Sequence, residues 1–404
     1  MPAWVAMIAY TCYLRDPRVR REAEALVEAG YPVTVLALRE RGEASREVVH
    51  GVEVVRAPLH RLRNGPLGYV LRYTLFFLMA FGWLTLLAWR RRPRVVYVHN
   101  LPNFLVFAAL VPRLLGARVV LDIHDPVPEF YRCKYGVAAS SWMVRLLRLE
   151  ERLSTRFAHH VVTVNEPVAQ VLRQRGVPAG KLTVVMNAPD ARLFAAPCSG
   201  APPPNGDLPL LYAGTVAPRY GLDVALRGLA LVRRRHPEVR LRVVGEGDGL
   251  PALRALAREL GLEGAVEFHP PVPLEQVPQL IAEARVGLSP QRDDPFMGLA
   301  FSTKVLEFLS MGLPVVCART RCMEHYFGGD GLVCFFRPGD PEDFARGVEE
   351  ALARRDQAEV RRLGVERFLE RYGWEVQRAR YLRLVAHLAG EPQAVEVGQH
   401  ASMD

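Results

Sequence analysis

Lysine is nearly missing from this chain of 404 residues. Of 52 cationic residues only Lys134, Lys181 and Lys304 are lysine, and all the others are arginine. A position that keeps lysine against that background suggests a task that the planar, directional guanidinium cannot fill. Cysteine is also sparse: six residues, with no C-x-x-C pair. That spacing offers neither a zinc site nor a disulfide framework, and it fits a reducing cytosol. The opening "MPAWVAMIAY" lacks a basic segment followed by an apolar run and a small-residue cleavage site, so it reads as a first strand rather than a leader.

Half of the residues are apolar, which predicts a folded chain, and the length predicts two to three domains. Charge is divided unevenly. Residues 1–190 hold 26 Lys+Arg against 15 Asp+Glu, whereas residues 191–404 hold 26 against 28. The basic first half therefore expects an anionic partner. Nucleic acid is disfavoured, because no basic strand interleaved with aromatics is present; a membrane with acidic lipid fits better.

Apolar β-branched runs alternate with helical patterns: "VAMIAY", "PVTVLAL", "RVVYVHN", "ARVVLDIHD" and "HHVVTVN" in the first half, and "PLLYAGTV", "VRLRVVGEG", "AVEFH", "ARVGLSP", "LPVVCAR" and "GLVCFF" in the second. This rhythm predicts α/β architecture, two doubly wound Rossmann-like domains with parallel sheets facing across a ligand-binding cleft. The expected boundaries are an N-terminal domain over 1–194, a linker at 195–209 in "APCSGAPPPNGDLP", a second domain over 210–372, a helix at 373–389 and a tail at 390–404. In the first helix Asp16 is placed to cap, Pro17 to sit at the first position and Gly30 to end it.

The stretch 73–89, "YTLFFLMAFGWLTLLAW", is uncharged and is followed by Arg90, Arg91 and Arg92. It is slightly short of the ~20 residues that span a bilayer. It also lies between the strand candidates "VEVVRAP" and "RVVYVHN", which one sheet would hold on one side of the membrane. Its apolar residues surround the whole helical wheel, whereas a helix packed on one side needs only a stripe. With Arg61, Arg63, Arg72 and Arg90 flanking it, monotopic attachment to an anionic leaflet is expected. A buried core helix and a re-entrant hairpin broken near Gly82 are the alternatives.

In "FSTKVLEFLSMGLPVV" either Ser302 or Thr303 should cap a helix and Gly312 should close it. Lys304 then falls in the first turn, where a cation is unfavourable unless an anion binds there. Glu307, one turn deeper, could accept hydrogen bonds from a ribose diol. The plain alternative is a surface salt bridge between the two. The loop "YAGTVAPRYG" could bring amides at Gly214 and Thr215 and the Arg219 guanidinium to a diphosphate. "VVGEGDG", with Gly245 and Glu246, could let a ligand approach closely. In the first half, His124 with Asp125 could polarise a substrate hydroxyl, or could simply turn a Pro-rich loop. Arg15 and Arg18 could meet an acceptor phosphate.

These segments, in this order, together with "DPRVRREAEALVEAGYPVTVLA" and "VVYVHNLPNFLVFAALVPRLLGARVVLDIHD", resemble the family-four (group 1) glycosyltransferases, retaining enzymes of the GT-B fold. The resemblance implies that Glu307 holds the donor ribose, that Arg219 and Lys304 stabilise the departing diphosphate, and that His124 lies near the transferred sugar. It implies a UDP- or GDP-linked donor, a lipid, lipid-linked or glycan acceptor, no metal or other cofactor, and work at the cytoplasmic membrane face. Two positions depart from the common pattern: Leu299 stands eight residues before Glu307, where many members have a second glutamate, and "TCYLRDPRV" lacks a glycine pair. A nucleotide-sugar epimerase or hydrolase, and a non-catalytic binding subunit, are the alternative functions.

Overall fold

A computed structural model describes residues 3–59, 66–194, 208–329, 331–354 and 357–391. Most of the expected linker, 195–207, and most of the tail, 392–404, lie outside the described residues, as do Arg61 and Arg63. Contacts gather Met1–Tyr131, Val137–Val185 and Gln377–Asp404 into one compact unit, and Arg132–Gly136 with Met186–Val376 into another.

In unit 1 an eight-stranded sheet runs β3-β4-β2-β1-β5-β6-β7-β8. Its strands are β1 (Val5–Cys12), β2 (Val33–Leu38), β3 (Arg46–Val49), β4 (Val52–Ala57), β5 (Val95–His99), β6 (Arg118–Ile123), β7 (His160–Thr163) and β8 (Leu182–Val184). All neighbours are parallel except β3, which returns antiparallel on β4. That edge hairpin escaped the sequence pattern because three of the four β3 residues are exposed and it carries no apolar alternation. The central strands read as continuous apolar runs because both sheet faces are covered.

On one face, α1 (Pro17–Glu28) and the helix Trp374–Ala389 share a core with the sheet: Val19, Ala23, Tyr381 and Val385 pack among Val5, Val35 and Tyr97. The C-terminal helix thus joins unit 1 along its Gln377–Ala389 portion. Asp16 caps α1, accepting from the amides of Arg18 and Val19. The other face carries α2 (Pro66–Arg90), a 3-10 segment Asn103–Ala109 that leads into α3 (Leu110–Leu114), then α4 (Val127–Tyr135) and α5 (Trp142–Phe157). α2 rests on the Asn103–Ala109 segment and α3, and α5 rests on the same segment.

Unit 2 is a six-stranded, all-parallel sheet in the order β11-β10-β9-β12-β13-β14. The strands are β9 (Leu208–Ala213), β10 (Val239–Val244), β11 (Val266–His269), β12 (Val286–Ser289), β13 (Val315–Ala318) and β14 (Val333–Phe336). One core joins β9, β10, β12 and the helices Leu222–Val232 and Pro341–Ala353, with Leu226, Leu229, Phe344 and Val348 at its centre.

Candidate functional site

β9 lies between β10 and β12, so the loops that leave the carboxyl ends of these three strands are neighbours. The loops after β9 and β10 are laced by backbone hydrogen bonds: Gly214 N to Val244 O at 2.9 Å, Val216 N to Glu246 O at 2.8 Å and Gly249 N to Val216 O at 3.0 Å. Gly245 has φ of +149°, and a Cβ there would stand 1.9 Å from the Gly214 carbonyl oxygen. At Gly245 the neighbouring loop itself approaches closely, and the lacing leaves no room for a side chain. Gly214, Thr215, Arg219 and Glu246 are arrayed around this frame, with Thr215, Arg219 and Glu246 exposed. Tyr212 donates its hydroxyl to Thr215 O at 2.6 Å, which folds the loop back over the strand end.

The helix Thr303–Ser310 enters the same place. Neither Ser302 nor Thr303 caps it with its side chain. Ser302 is the N-cap residue, but its Oγ accepts from Ser289 Oγ at 2.8 Å and its amide faces the Met323 sulfur at 3.4 Å. The first-turn amides are left without a side-chain acceptor, an arrangement that favours an anion. Gly312, at φ +83°, closes the helix as expected.

Lys304 sits in that first turn, half-buried. Its ammonium is 4.3 Å from the centre of the Tyr212 ring and 5.5 Å from that of Tyr220. A Cβ added to Gly214 would be 3.2 Å from Nζ. The expected alternative of a Lys304–Glu307 salt bridge does not form; Glu307 acts on the ammonium at longer range. Burial lowers the Lys304 pKa to about 8, with Glu307 partly opposing it. The rings supply some cation–π attraction but no counter-charge. The backbone carbonyl of Arg219 accepts from Arg292 N at 3.0 Å, and the Arg219 side chain is exposed. Leu299 is buried at 6% exposure, so that position adds no carboxylate.

In unit 1 a second cluster collects at the carboxyl ends of β5 and β6. Arg18, expected to face an acceptor phosphate, is 6% exposed and its fork is occupied: Nε and Nη2 donate to the two Asp122 oxygens at 2.8 and 2.9 Å, and Nη1 donates to Val185 O. The reason is helical geometry, since Arg18 shares the inward face of α1 with Glu22. Arg15 is exposed and pairs with Glu40 at 2.9 Å. His99 Nδ1 lies 3.0 Å from Asp122 Oδ2, and the buried Glu22 carboxylate pairs with Arg18 Nη2 at 3.2 Å. Burial pushes the Glu22 carboxyl above its usual range; burial pushes Asp122 the same way, but Arg18 together with hydrogen bonds from His124 and His99 overcomes it and holds Asp122 well below its own.

His124, half-buried, has its Nδ1 4.0 Å from Asp122 Oδ2. Its partner is thus Asp122 rather than the adjacent Asp125. Burial alone would lower the His124 pKa, but Asp122 and Asp125 more than offset it and raise it. Asn100 Oδ1 accepts from the amides of His124 and Asp125 at 3.1 and 3.4 Å, fixing the loop. His99, Asp122 and His124 offer ligand-type atoms within 4.8 Å of one another. The carboxylate of that set, Asp122, is already paired with the Arg18 guanidinium.

The sequence reading missed Asp122, His99, Asn100 and Glu22. The first three lie at the ends of the quoted strands "VHN" and "LDIHD", and Glu22 lies one turn after Arg18.

Two α/β units with parallel sheets, one bringing the Lys304 ammonium among glycine loops at its strand ends, define an architecture of two Rossmann-like units. Family models sharpen this: a glycosyl transferase 4-like domain matches residues 16–188 and a group 1 glycosyl transferase domain matches 208–354. The chain belongs to the group 1 glycosyltransferases of family four.

It is 30% identical over 231 residues to a D-inositol 3-phosphate glycosyltransferase of Streptomyces griseus, a match covering 53% of this chain and 46% of the relative. It is 34% identical over 122 residues to a GDP-mannose-dependent alpha-(1-6)-phosphatidylinositol monomannoside mannosyltransferase of Mycolicibacterium smegmatis, covering 28% of this chain and 31% of that one. The chain spans less than half the length of these relatives. Sucrose-phosphate synthase of Thermosynechococcus elongatus shares the fold, with TM-score 0.74, 19% identity and coverage of 96% and 99%. So does Anabaena HepE in complex with UDP and glucose, with TM-score 0.69, 16% identity and coverage of 95% and 100%.

Proposed function

We propose that this protein transfers a sugar, with retention, from a UDP- or GDP-linked donor to a lipid-linked or glycan acceptor at the cytoplasmic face of a membrane. The observation that carries the donor half is Lys304: an ammonium without an ion pair among the described residues, at a helix start whose amides no described side chain caps, beside a glycine loop. A diphosphate supplies the missing charge, and Glu307 is one turn further along for the ribose. Arg219, exposed beside the same loop, adds a second cation. As the anomeric bond to the diphosphate loosens, negative charge grows on the leaving oxygens, and fixed cations stabilise that charge more than they stabilise the ground state.

His124 is the group read as lying near the transferred sugar. Its ring, held protonated to higher pH by Asp122 and Asp125, can donate to a sugar hydroxyl. No metal is needed in this scheme, because Lys304 and Arg219 supply the positive charge. The acceptors in the relatives' names, an inositol phosphate and a phosphatidylinositol monomannoside, favour a polyol or glycolipid acceptor. Attachment through α2 places the chain where such an acceptor resides.

The test is a transfer assay with radiolabelled UDP- and GDP-sugars and a membrane lipid extract. Wild type should label lipid or glycan, while Glu307→Ala and Lys304→Ala, each still folded by circular dichroism, should lose most of that transfer. Wild-type turnover by either variant would sink the site assignment; release of free sugar without any labelled acceptor would favour hydrolysis.

A further inference from the structure

The helix 66–90 that the sequence singled out does not stand alone. On α2 one stripe, Phe76, Ala80, Leu84 and Leu87, is buried against the protein. The opposite stripe, Leu71, Leu75, Leu78, Leu86 and Trp89, is 40–68% exposed, so this helix is apolar on the side that faces away from its own core. It cannot cross a bilayer, because its ends connect β4 and β5, which are strands of one sheet. Beside it, α3 and the residue after it expose Leu110, Leu114 and Leu115. Next along the face, α5 exposes Trp142, Leu146, Leu149 and Leu153, a spacing that sets all four on one side of the helix.

Charge on this face has one sign. α2 and α3 contain no Asp or Glu. The two carboxylates of α5 are turned inward: Glu150 accepts from Asn103 Nδ2 at 3.0 Å, and Glu151 pairs with Arg175 at 3.0 Å. Burial raises the Glu150 pKa to about 7. What α5 turns outward besides its leucines is Arg145, Arg152 and Arg156, and Arg90 and Arg92 close α2. Among the described residues none of these five arginines has a carboxylate partner. In unit 2 some exposed arginines are answered, Arg235 by Glu349, Arg319 by Glu324, Arg346 by Glu350 and Arg362 by Glu366, while Arg219 and Arg227 have no carboxylate partner among the described residues.

We propose that α2, α3 and α5 together form one membrane-docking face that lies flat in the interface of an anionic leaflet, with Trp89 and Trp142 at the headgroup level and the unpaired arginines on lipid phosphates. The inference rests on the membrane attachment proposed for α2 and extends it to two further helices. An apolar, carboxylate-free surface rimmed by cations is complementary to acidic lipid and to little else in a cell. Tryptophan suits the position because its ring is apolar and its N–H seeks a wet acceptor.

The test uses the full chain and vesicles of phosphatidylcholine, either alone or with one-third phosphatidylglycerol, the lipids carrying bromine on their acyl chains. Flotation should require the phosphatidylglycerol, and tryptophan emission should be quenched on binding. Trp89→Phe and Trp142→Phe should each remove part of the quenching. Leu146→Asp with Leu149→Asp, both at exposed positions, should weaken binding about tenfold or more while far-ultraviolet circular dichroism stays unchanged. If only Trp89→Phe alters the quenching and the double variant floats normally, attachment by α2 stands and the three-helix face is wrong. If the chain neither floats nor is quenched, both ideas fail. Equal binding to neutral vesicles would overturn the anionic requirement. A dimer in sedimentation, with Trp142 shielded from acrylamide before lipid is added, would assign the face to a second copy instead.

Discussion

Lys304 Nζ lies 4.3 Å from the centre of the Tyr212 ring, and Glu307, the carboxylate that acts on it, does so from beyond ion-pair distance. An ammonium there has surrendered part of its hydration and gained the faces of two tyrosines and a longer-range pull from Glu307. Such a site is unfavourable in the free protein and favourable once an anion arrives, as a binding group held ready for a charged ligand should be.

The first prediction comes from that cost. Lys304→Met keeps the chain length and removes the charge, so at pH 7 it should stabilise the protein by on the order of 1–2 kcal/mol, discounted because the side chain is only half-buried. Thermal unfolding should show a higher Tm together with loss of nucleotide binding. A lower Tm would mean that Lys304 has a structural partner.

The second concerns pH. The folded-state pKa of Lys304, about 8, is below its ordinary 10.5. Between those values the unfolded chain binds more protons, so this group's contribution to stability should improve as pH rises through that window. Donor affinity should move the other way: above about pH 8 the free site loses its ammonium and Kd should weaken by up to about tenfold per pH unit. Calorimetric titration of UDP or GDP at several pH values between about 7 and 9 checks the sign. Lys304→Met should show no such slope.

The third separates two glycines of one frame. Gly245→Ala would set a methyl 1.9 Å from the Gly214 carbonyl oxygen at φ +149°, so both loops must move, and stability and binding should fall together. Gly214→Ala meets chiefly the end of the flexible Lys304 side chain, 3.2 Å away, with the Tyr212 hydroxyl at 3.7 Å, although its own φ of +146° also resists a side chain. It should lose binding with a smaller drop in Tm. Gly264→Ala, with nothing within 4 Å, is the control and should change neither.

A fourth addresses unit 1. Arg18→Ala would leave Asp122 and Glu22 buried without their cation, a change that costs about 3–5 kcal/mol. Urea unfolding should report that loss. Arg15→Ala, at an exposed pair with Glu40, should cost less than about 1 kcal/mol. If the Arg18 variant kept full stability and lost only acceptor affinity, the phosphate role first expected for Arg18 would return.

Much of the architecture was legible in the sequence because buried parallel strands leave continuous β-branched runs. The antiparallel β3 was not, since an exposed edge strand carries no such run. Lys304 stood out through composition alone, and its helix start and Gly312 stop came from punctuation. What could not be seen was three-dimensional pairing. Arg18 and Asp122 lie 104 residues apart, and only the adjacency of β5 and β6 to α1 makes them partners. The close approach of the neighbouring loop at Gly245 was hidden too, because spacing along the chain does not say which neighbour stands there. The exposed face of α5 was likewise hidden, because its Glu150 and Glu151 make the sequence look ordinary until the structure turns both inward.

The measurement closest to the central claim is the difference between a nucleoside diphosphate and its monophosphate. UDP or GDP should bind wild type markedly more tightly than UMP or GMP, because Lys304 and the uncapped helix start receive the second phosphate. That increment should collapse in Lys304→Ala, while Glu307→Ala should weaken mono- and diphosphate alike. If the diphosphate advantage survives intact in Lys304→Ala, the ammonium beside Tyr212 is not the donor site and the account is wrong.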